Sequence, residues 1–256
     1  MTRNLVSVVR DLQRRKARKR RRMGVAEGVR LVEEALSARV RIEGVVAAPS
    51  LSDTPRGAAL LQEIADHAIP IESVTERQLA ELADTETPQG VLAVVEPPRW
   101  SLDGIRPESK SPVLVLDAVQ DPGNVGALVR TAFGLGLPGA VLLKGTADTA
   151  NPKVMRAAMG ATFRLPTAYA SEAELEEWSR REGVEVWAAW EEGTPLSRLD
   201  PPERLALVVG NEGAGLSSFV RSLARHTVAV PLARGADSLN VAVAAGIILY
   251  SVIHRA

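Results

Sequence analysis

Short apolar runs separated by helix-length segments constrain this chain more than any other feature. Val113–Leu116, Ala140–Leu143 and Leu205–Val209 read as strands without a polar face, and Val184–Ala189, with one acid at Glu185, as a further strand. Such strands are buried on both sides. Helices must then cover both faces of the sheet, which is the pattern of parallel α/β packing. Helical patterns lie between the runs, at Val125–Gly134, Pro152–Met159, Ser171–Arg181 and Ser217–Arg225. Asn124 stands where it can cap the first of these. Ser171 and Glu174 have the spacing of a capping box in the third. The chain closes on a strand at Val228–Val230, a loop through Pro231, Arg234, Gly235 and Asp237, and an apolar helix through Tyr250.

The first 97 residues alternate as well. Helices are expected at Val25–Arg39, Pro55–His67 and Thr75–Ala83, and strands at Ile42–Ala47, Ile69–Val74 and Gly90–Val95. This predicts a small α/β sandwich of three layers. Pro98, Pro107 and Pro112 interrupt the stretch between this unit and Val113, so a linker is expected there. The expected organisation is a domain at 1–97, a linker at 98–112 and a parallel-sheet domain at 113–256.

Charge is informative only in its distribution. The chain has 31 basic and 31 acidic residues, so its net charge implies no polyanionic partner. Near the start, however, Arg14, Arg15, Lys16, Arg18, Lys19, Arg20, Arg21 and Arg22 form a run with no acid between Asp11 and Glu27. Leu5, Val8, Val9 and Leu12 precede it at helical spacing. A solvated helix end would carry the same charge. Clustered cations also gain from counterion release on a nucleic acid, and RNA is the expected partner. A membrane surface is less suited, because the segment has no aromatic anchors. Cysteine is absent, which excludes disulfides and zinc–thiolate sites, and His67, His226 and His254 follow no ligand spacing. No metal is expected. No apolar opening run suggests a secretion signal. The longest apolar stretch, Val241–Ile248, is far below the ~20 residues that span a bilayer. The expectation is a cytoplasmic protein.

One motif misleads. Gly134-Leu135-Gly136-Leu137-Pro138-Gly139 matches G-x-G-x-x-G, but it ends a helix and enters a strand. A dinucleotide fingerprint does the reverse, so a helix C-cap and turn are expected. Three polar stretches remain, each after an expected strand: Asp121–Gly126 with Arg130 beyond it, Gly210–Ser217, and Ser238–Asn240. Strand C-termini of a parallel sheet share one edge, so the three loops should converge there. Their glycines permit close backbone approach to a ligand.

These stretches, D-P-G-N-V-G-A-L-V-R-T-A at 121–132, L-V-V-G-N-E-G-A-G-L at 207–216 and S-L-N-V-A-V-A-A-G-I at 238–247, resemble the three motifs of the SpoU/TrmH family. These are RNA ribose 2′-O-methyltransferases of the SPOUT superfamily. The segment Asn151–Pro166 is similar too, with Ala158 where serine is common, and Arg234 stands where many members have glycine. The N-terminal unit resembles, more weakly, a ribosomal-protein-like RNA-binding domain.

The resemblance implies a deep trefoil knot at the C-terminus, which the strand pattern alone does not predict. It implies S-adenosylmethionine (AdoMet) as cofactor, methyl transfer to a ribose 2′-hydroxyl, and a homodimer with the site near the subunit interface. Arg130 would bind the target phosphate and stabilise the developing alkoxide, with Asn124, Glu212, Ser238 and Asn240 around it. Gly210, Asn211, Glu212, Val230 and Leu239 would hold the cofactor. The basic run and separate N-terminal domain resemble those of members that act on ribosomal rather than transfer RNA. The alternatives are an RNA-binding assembly factor that kept the fold and lost catalysis, and a 2′-O-methyltransferase directed to transfer RNA.

Overall fold

The structure, a computed structural model, describes residues 4–235 and 238–255. Asp237, read above into the last loop, lies outside them. The chain begins with α1 (Leu5–Leu12), α2 (Arg15–Arg21), β1 (Gly24–Glu27), α3 (Val29–Ser37), β2 (Arg41–Ala47), α4 (Pro55–Asp66), β3 (Ile71–Ser73), α5 (Glu76–Leu82) and β4 (Val91–Glu96). It continues with β5 (Val113–Leu116), α6 (Pro122–Gly134), β6 (Ala140–Leu142), α7 (Pro152–Ala158), β7 (Thr167–Tyr169), α8 (Glu172–Glu182) and β8 (Glu185–Pro195). The last elements are β9 (Leu205–Val209), α9 (Ser218–Leu223), β10 (His226–Ala229) and α10 (Val241–Ile253).

Two compact units form: Met1–Pro98 with Asp148–Arg164, and Arg99–Ala147 with Leu165–Ala256. The sequence pattern keeps the segment 148–164 with the C-terminal domain. It clusters instead with the first unit, because Met155 and Phe163 are buried in that unit's core.

The first unit has a four-stranded sheet in the order β1-β4-β2-β3. β4 runs antiparallel to both its neighbours. Alternate residues of the strands feed two cores. Val45, Ala47, Val91, Ala93 and Val95 pack with Val32, Leu60, Ile64 and Met155 from α3, α4 and α7. Val46, Leu92 and Val94 pack with Leu5, Val9, Leu12, Leu79 and Leu82 from α1 and α5. The period-two alternation thus builds three layers. The helix expected at Val25–Arg39 begins only at Val29. Gly24–Glu27 is a strand paired with β4, and Gly28, at φ 94°, separates the two elements because a left-handed residue cannot continue a helix. Thr75 caps α5 through a capping box with Gln78.

The second unit has six parallel strands in the order β10-β8-β9-β5-β6-β7. β7, an edge strand of three residues, is one element the sequence pattern misses; its Thr-Ala-Tyr is too short to register. Val113, Val115, Val141, Val186, Ala206 and Val208 pack on Leu175 and Trp178 of α8 and Val220 of α9. Leu114, Leu116, Leu207 and Val209, the intervening residues, are fully buried on the other face, where α10 contacts α6 and β9. From β5 the chain moves outward to β6 and β7, then returns to the other side of β5 through β8 and β9. The strand order therefore reverses between β5 and β9, whose ends are in register at Leu116 and Val209. Open α/β sheets bind ligands outside the strand C-termini at such a point. The Gly134–Gly139 stretch is the expected helix end: Leu135 is the C-cap of α6 and Gly136 takes φ 71°.

Candidate active site

The three polar loops meet beyond the C-terminal ends of β5, β9 and β10. Asp121 caps α6, its side chain accepting from the Asn124 backbone N–H at 2.8 Å. The expectation that Asn124 is the cap is therefore corrected. The acid three residues earlier takes that place, and the Asn124 amide is left for the site.

Asn240 caps α10, its Oδ1 accepting from the N–H groups of Ala242 at 2.9 Å and Val243 at 3.3 Å. With Oδ1 used, its Nδ2 donates to Asn124 Oδ1 at 2.8 Å. Asn124 Nδ2 in turn donates to Glu212 Oε1 at 2.9 Å. The other Glu212 oxygen accepts from the Gln120 N–H at 3.3 Å. A backbone cap fixes one end of this chain and a carboxylate the other, so both amides have one orientation. Aligned bonds of this kind polarise one another.

The loop after β9 is held at both ends. Asn211 and Gly215 exchange backbone hydrogen bonds of 2.9 Å in both directions. Asn211 Oδ1 accepts from the N–H groups of Gly213 and Ala214, while its Nδ2 donates to the Ala118 carbonyl at 2.8 Å. Ala118 takes φ 56°, which a residue with a Cβ adopts only at a cost of about 1–3 kcal/mol. At the other end the buried Asp117 accepts from the Ser217 N–H at 2.7 Å. The sequence pattern does not single out Asp117, although an acid directly after the run Val113–Leu116 is a signal for the site edge of a parallel sheet.

These loops enclose a cavity of about 480 Å³, within the usual range for small-molecule sites. Gly210, Asn211, Glu212, Val230, Ser238, Leu239, Asn124 and Asn240 all line it, as do Trp190, Glu191 and Ile248. Among the described residues its lining includes two carboxylates, Glu191 and Glu212, and no lysine, arginine or histidine. The wall suits a ligand with apolar parts and a positive charge. Among the described residues no cluster of His, Asp or Glu could hold a metal ion.

Arg130 is not part of this wall. It is exposed on α6, six residues after Asn124, which places it about 120° away from that residue around the helix. Of the two partners open to Glu212, Arg130 or a loop N–H, the structure has the loop N–H of Gln120, beside the Asn124 amide. Among the described residues no acid lies within ion-pair distance of it. Beside it, Ala127 and Thr131 of α6 and Val243, Ile247 and Tyr250 of α10 line a groove of about 580 Å³. The last three residues are spaced at four and three along one face of α10, and each is largely exposed.

In the first unit the basic run divides. Arg18 is buried; its Nε meets Asp148 Oδ2 at 2.9 Å and its Nη1 donates to the carbonyls of Leu12 and Gln13. It is a structural ion pair, which corrects its assignment to RNA. Arg20 and Arg21 both reach Asp11, and the Arg21 guanidinium holds the Asp11 carboxyl below its ordinary pKa. Arg14, Arg15, Lys16, Lys19 and Arg22 are exposed.

A crevice at a strand-order reversal, ringed by three polar loops, defines a small-molecule-binding α/β protein. The chain belongs to the SpoU rRNA methylase family, whose model matches residues 111–250. Residues 4–93 match the MRM3-like substrate binding domain. The chain is 37% identical over 240 residues, 93% of its length and 92% of the relative's, to the 23S rRNA (guanosine(2553)-2′-O)-methyltransferase RlmP of Bacillus subtilis. It is 34% identical over 192 residues, 69% of its length and 64% of the relative's, to the 23S rRNA (uridine(2479)-2′-O)-methyltransferase of Streptomyces viridochromogenes. Among solved structures, the AdoMet-bound rRNA methyltransferase of Sinorhizobium meliloti superimposes with a TM-score of 0.85 and 31% identity, over 98% of this chain and 95% of that one.

Proposed function

We propose that this chain is an enzyme that methylates a ribose 2′-hydroxyl of ribosomal RNA with AdoMet. The observation that carries this reading is the convergence of the three motif loops on one cavity whose described lining holds two carboxylates and no cation. AdoMet, when bound, would supply a sulfonium methyl: its S–CH3 bond would break as the ribose O–CH3 bond forms, leaving a neutral thioether, with the hydroxyl proton released to solvent. Gly210, Asn211, Glu212, Val230 and Leu239 would hold it. Glu212 offsets positive charge, and the apolar residues accept the uncharged parts.

A ribose hydroxyl is a weak nucleophile and needs its developing charge stabilised. Arg130 supplies that charge and grips a neighbouring phosphate with its fork of donors. It is a poor base, since a guanidinium stays protonated in proteins. The Asn240–Asn124–Glu212 chain holds the loop mouths in one geometry, and Ser238 offers a hydroxyl to the ribose.

The remainder of the reading rests on the family likeness. The chain around α10 passes through a trefoil knot. Two copies pair through the apolar face at Val243, Ile247 and Tyr250, which brings the neighbourhood of Arg130 to the subunit interface. The first unit is a ribosomal-protein-like RNA-binding domain, and the enzyme works in the cytoplasm, where its substrate is.

Calorimetry with S-adenosylhomocysteine tests the reading at its base: binding in the micromolar range is expected. No binding at millimolar ligand would favour a catalytically inactive assembly factor. The basic run has its own test. Neutralising Arg14, Arg15, Lys16, Lys19 and Arg22 together should weaken RNA binding and flatten its dependence on salt, with AdoMet affinity unchanged. Arg18→Ala should act differently. It strips Asp148 of its ion-pair partner, leaving the Ala150 N–H on its other oxygen, at a cost of about 3 kcal/mol of stability, read as a lower Tm. An unchanged salt slope in the first variant would reduce the run to a solubilising surface.

A further inference from the structure

Trp190, near the middle of β8, is the one aromatic side chain among the described residues that line the cavity. The ring is pinned from two sides. The guanidinium carbon of Arg221 stands 4.8 Å from the ring centroid. Arg221 is itself tied down, its Nε donating to the Leu216 carbonyl at 3.2 Å. A Cβ added to Gly215 would lie 2.5 Å from Cζ3 of the indole, so the loop after β9 presses on that edge. Arg221 does not line the cavity. Trp190 itself does line it, between Ala189 and Glu191, and Arg221 occupies one face of its ring. A ring held in this way is ordered before any ligand arrives, so little freedom is lost on binding.

We propose that Trp190 is the purine platform of this cavity, with the adenine of the cofactor stacked on the face opposite Arg221. The inference rests on the reading of the cavity as an AdoMet site. AdoMet has one planar π system, its adenine. Its other parts are a ribose and a charged aliphatic chain. The cavity likewise offers one aromatic ring. Offset stacking of the two is the favourable arrangement for such rings. Arg221 is a positioning residue here: it acts on the ligand only through the indole.

The test is a set of titrations of wild type, Trp190→Phe and Trp190→Ala with AdoMet and with 5′-methylthioadenosine, which keeps the purine and lacks the amino-acid chain. Calorimetry gives the affinities, and tryptophan emission is recorded in parallel. Both ligands should change the wild-type emission, and the change should vanish in Trp190→Phe, because the other three tryptophans, Trp100, Trp178 and Trp187, do not line the cavity. Trp190→Ala should weaken both ligands by the same factor, roughly five- to hundredfold, and Trp190→Phe should restore most of the loss. Unchanged affinity in Trp190→Ala, or a wild-type emission indifferent to methylthioadenosine, would overturn the platform alone. Failure of the wild type to bind AdoMet would overturn the cofactor reading and the platform together.

Discussion

Arg130→Ala is expected to lower kcat for methyl transfer by roughly two to three orders of magnitude, the usual effect of removing a donor to developing negative charge. AdoMet affinity should be unchanged, because Arg130 does not line the cavity that would hold the cofactor. The split between the two readouts is what gives the prediction its force. A residue that merely stabilised α6 would move both, or neither. Arg130 is exposed, and among the described residues no carboxylate neutralises it, so its charge is available to an anionic ligand. Arg130→Lys separates charge from shape. An ammonium keeps the charge and loses the planar fork that grips a phosphate through two bonds. Partial recovery with lysine would indicate a mainly electrostatic role, and no recovery a geometric one. Near-normal turnover of Arg130→Ala would remove Arg130 from the mechanism.

The second large effect is expected at Gly210, where the cofactor would be lost first. A Cβ there would stand 2.6 Å from the Gly215 carbonyl oxygen and 2.7 Å from its carbon. Both are backbone atoms, and both belong to the tight pairing of Asn211 with Gly215. The clash cannot be relieved by turning a side chain, so the loop itself must open. Overpacking of this kind costs about 1–3 kcal/mol. If the native loop shape is what AdoMet binds, Gly210→Ala should weaken AdoMet by roughly ten- to hundredfold at 1.4 kcal/mol per decade. The Tm should fall only modestly, because the loop lies outside the core built on β5 and β9. Calorimetry on the folded variant measures this. Full affinity in Gly210→Ala would mean that this loop does not touch the cofactor.

The strands are legible because burial on both faces leaves a run with no polar residue. Val113–Leu116 and Leu205–Val209 have in the structure the bounds that their sequence predicts. Elements whose pattern is shared with another type are not legible in this way. Val25 and Ala26 fit the apolar face of a helix, yet Gly28 ends that register and pairing with β4 makes them a strand. Thr167–Tyr169 is too short to have a period at all. For the site, residue type and loop position locate Asn124, Glu212, Ser238 and Asn240. What they do not give is partnership. Asp121 and Asn124 are both good caps, and only geometry decides that Asp121 caps the helix while Asn124 joins the amide chain. The burial of Arg18 is equally hidden. A cation in a run of cations looks solvated until its partner, Asp148, arrives from 130 residues away. Trp190 is invisible for a related reason: an aromatic in a strand reads as core until the neighbouring loops show that it lines the cavity.

The most direct test of the account is to incubate the protein with unmodified 23S rRNA and methyl-labelled AdoMet and then digest the product with alkali. Alkaline cleavage needs a free 2′-hydroxyl. Transfer to ribose therefore predicts that the label is recovered in one alkali-resistant dinucleotide, at a single position, and that Arg130→Ala yields none. Label on a base, released in an ordinary mononucleotide, or no transfer by a protein that binds AdoMet, would contradict it.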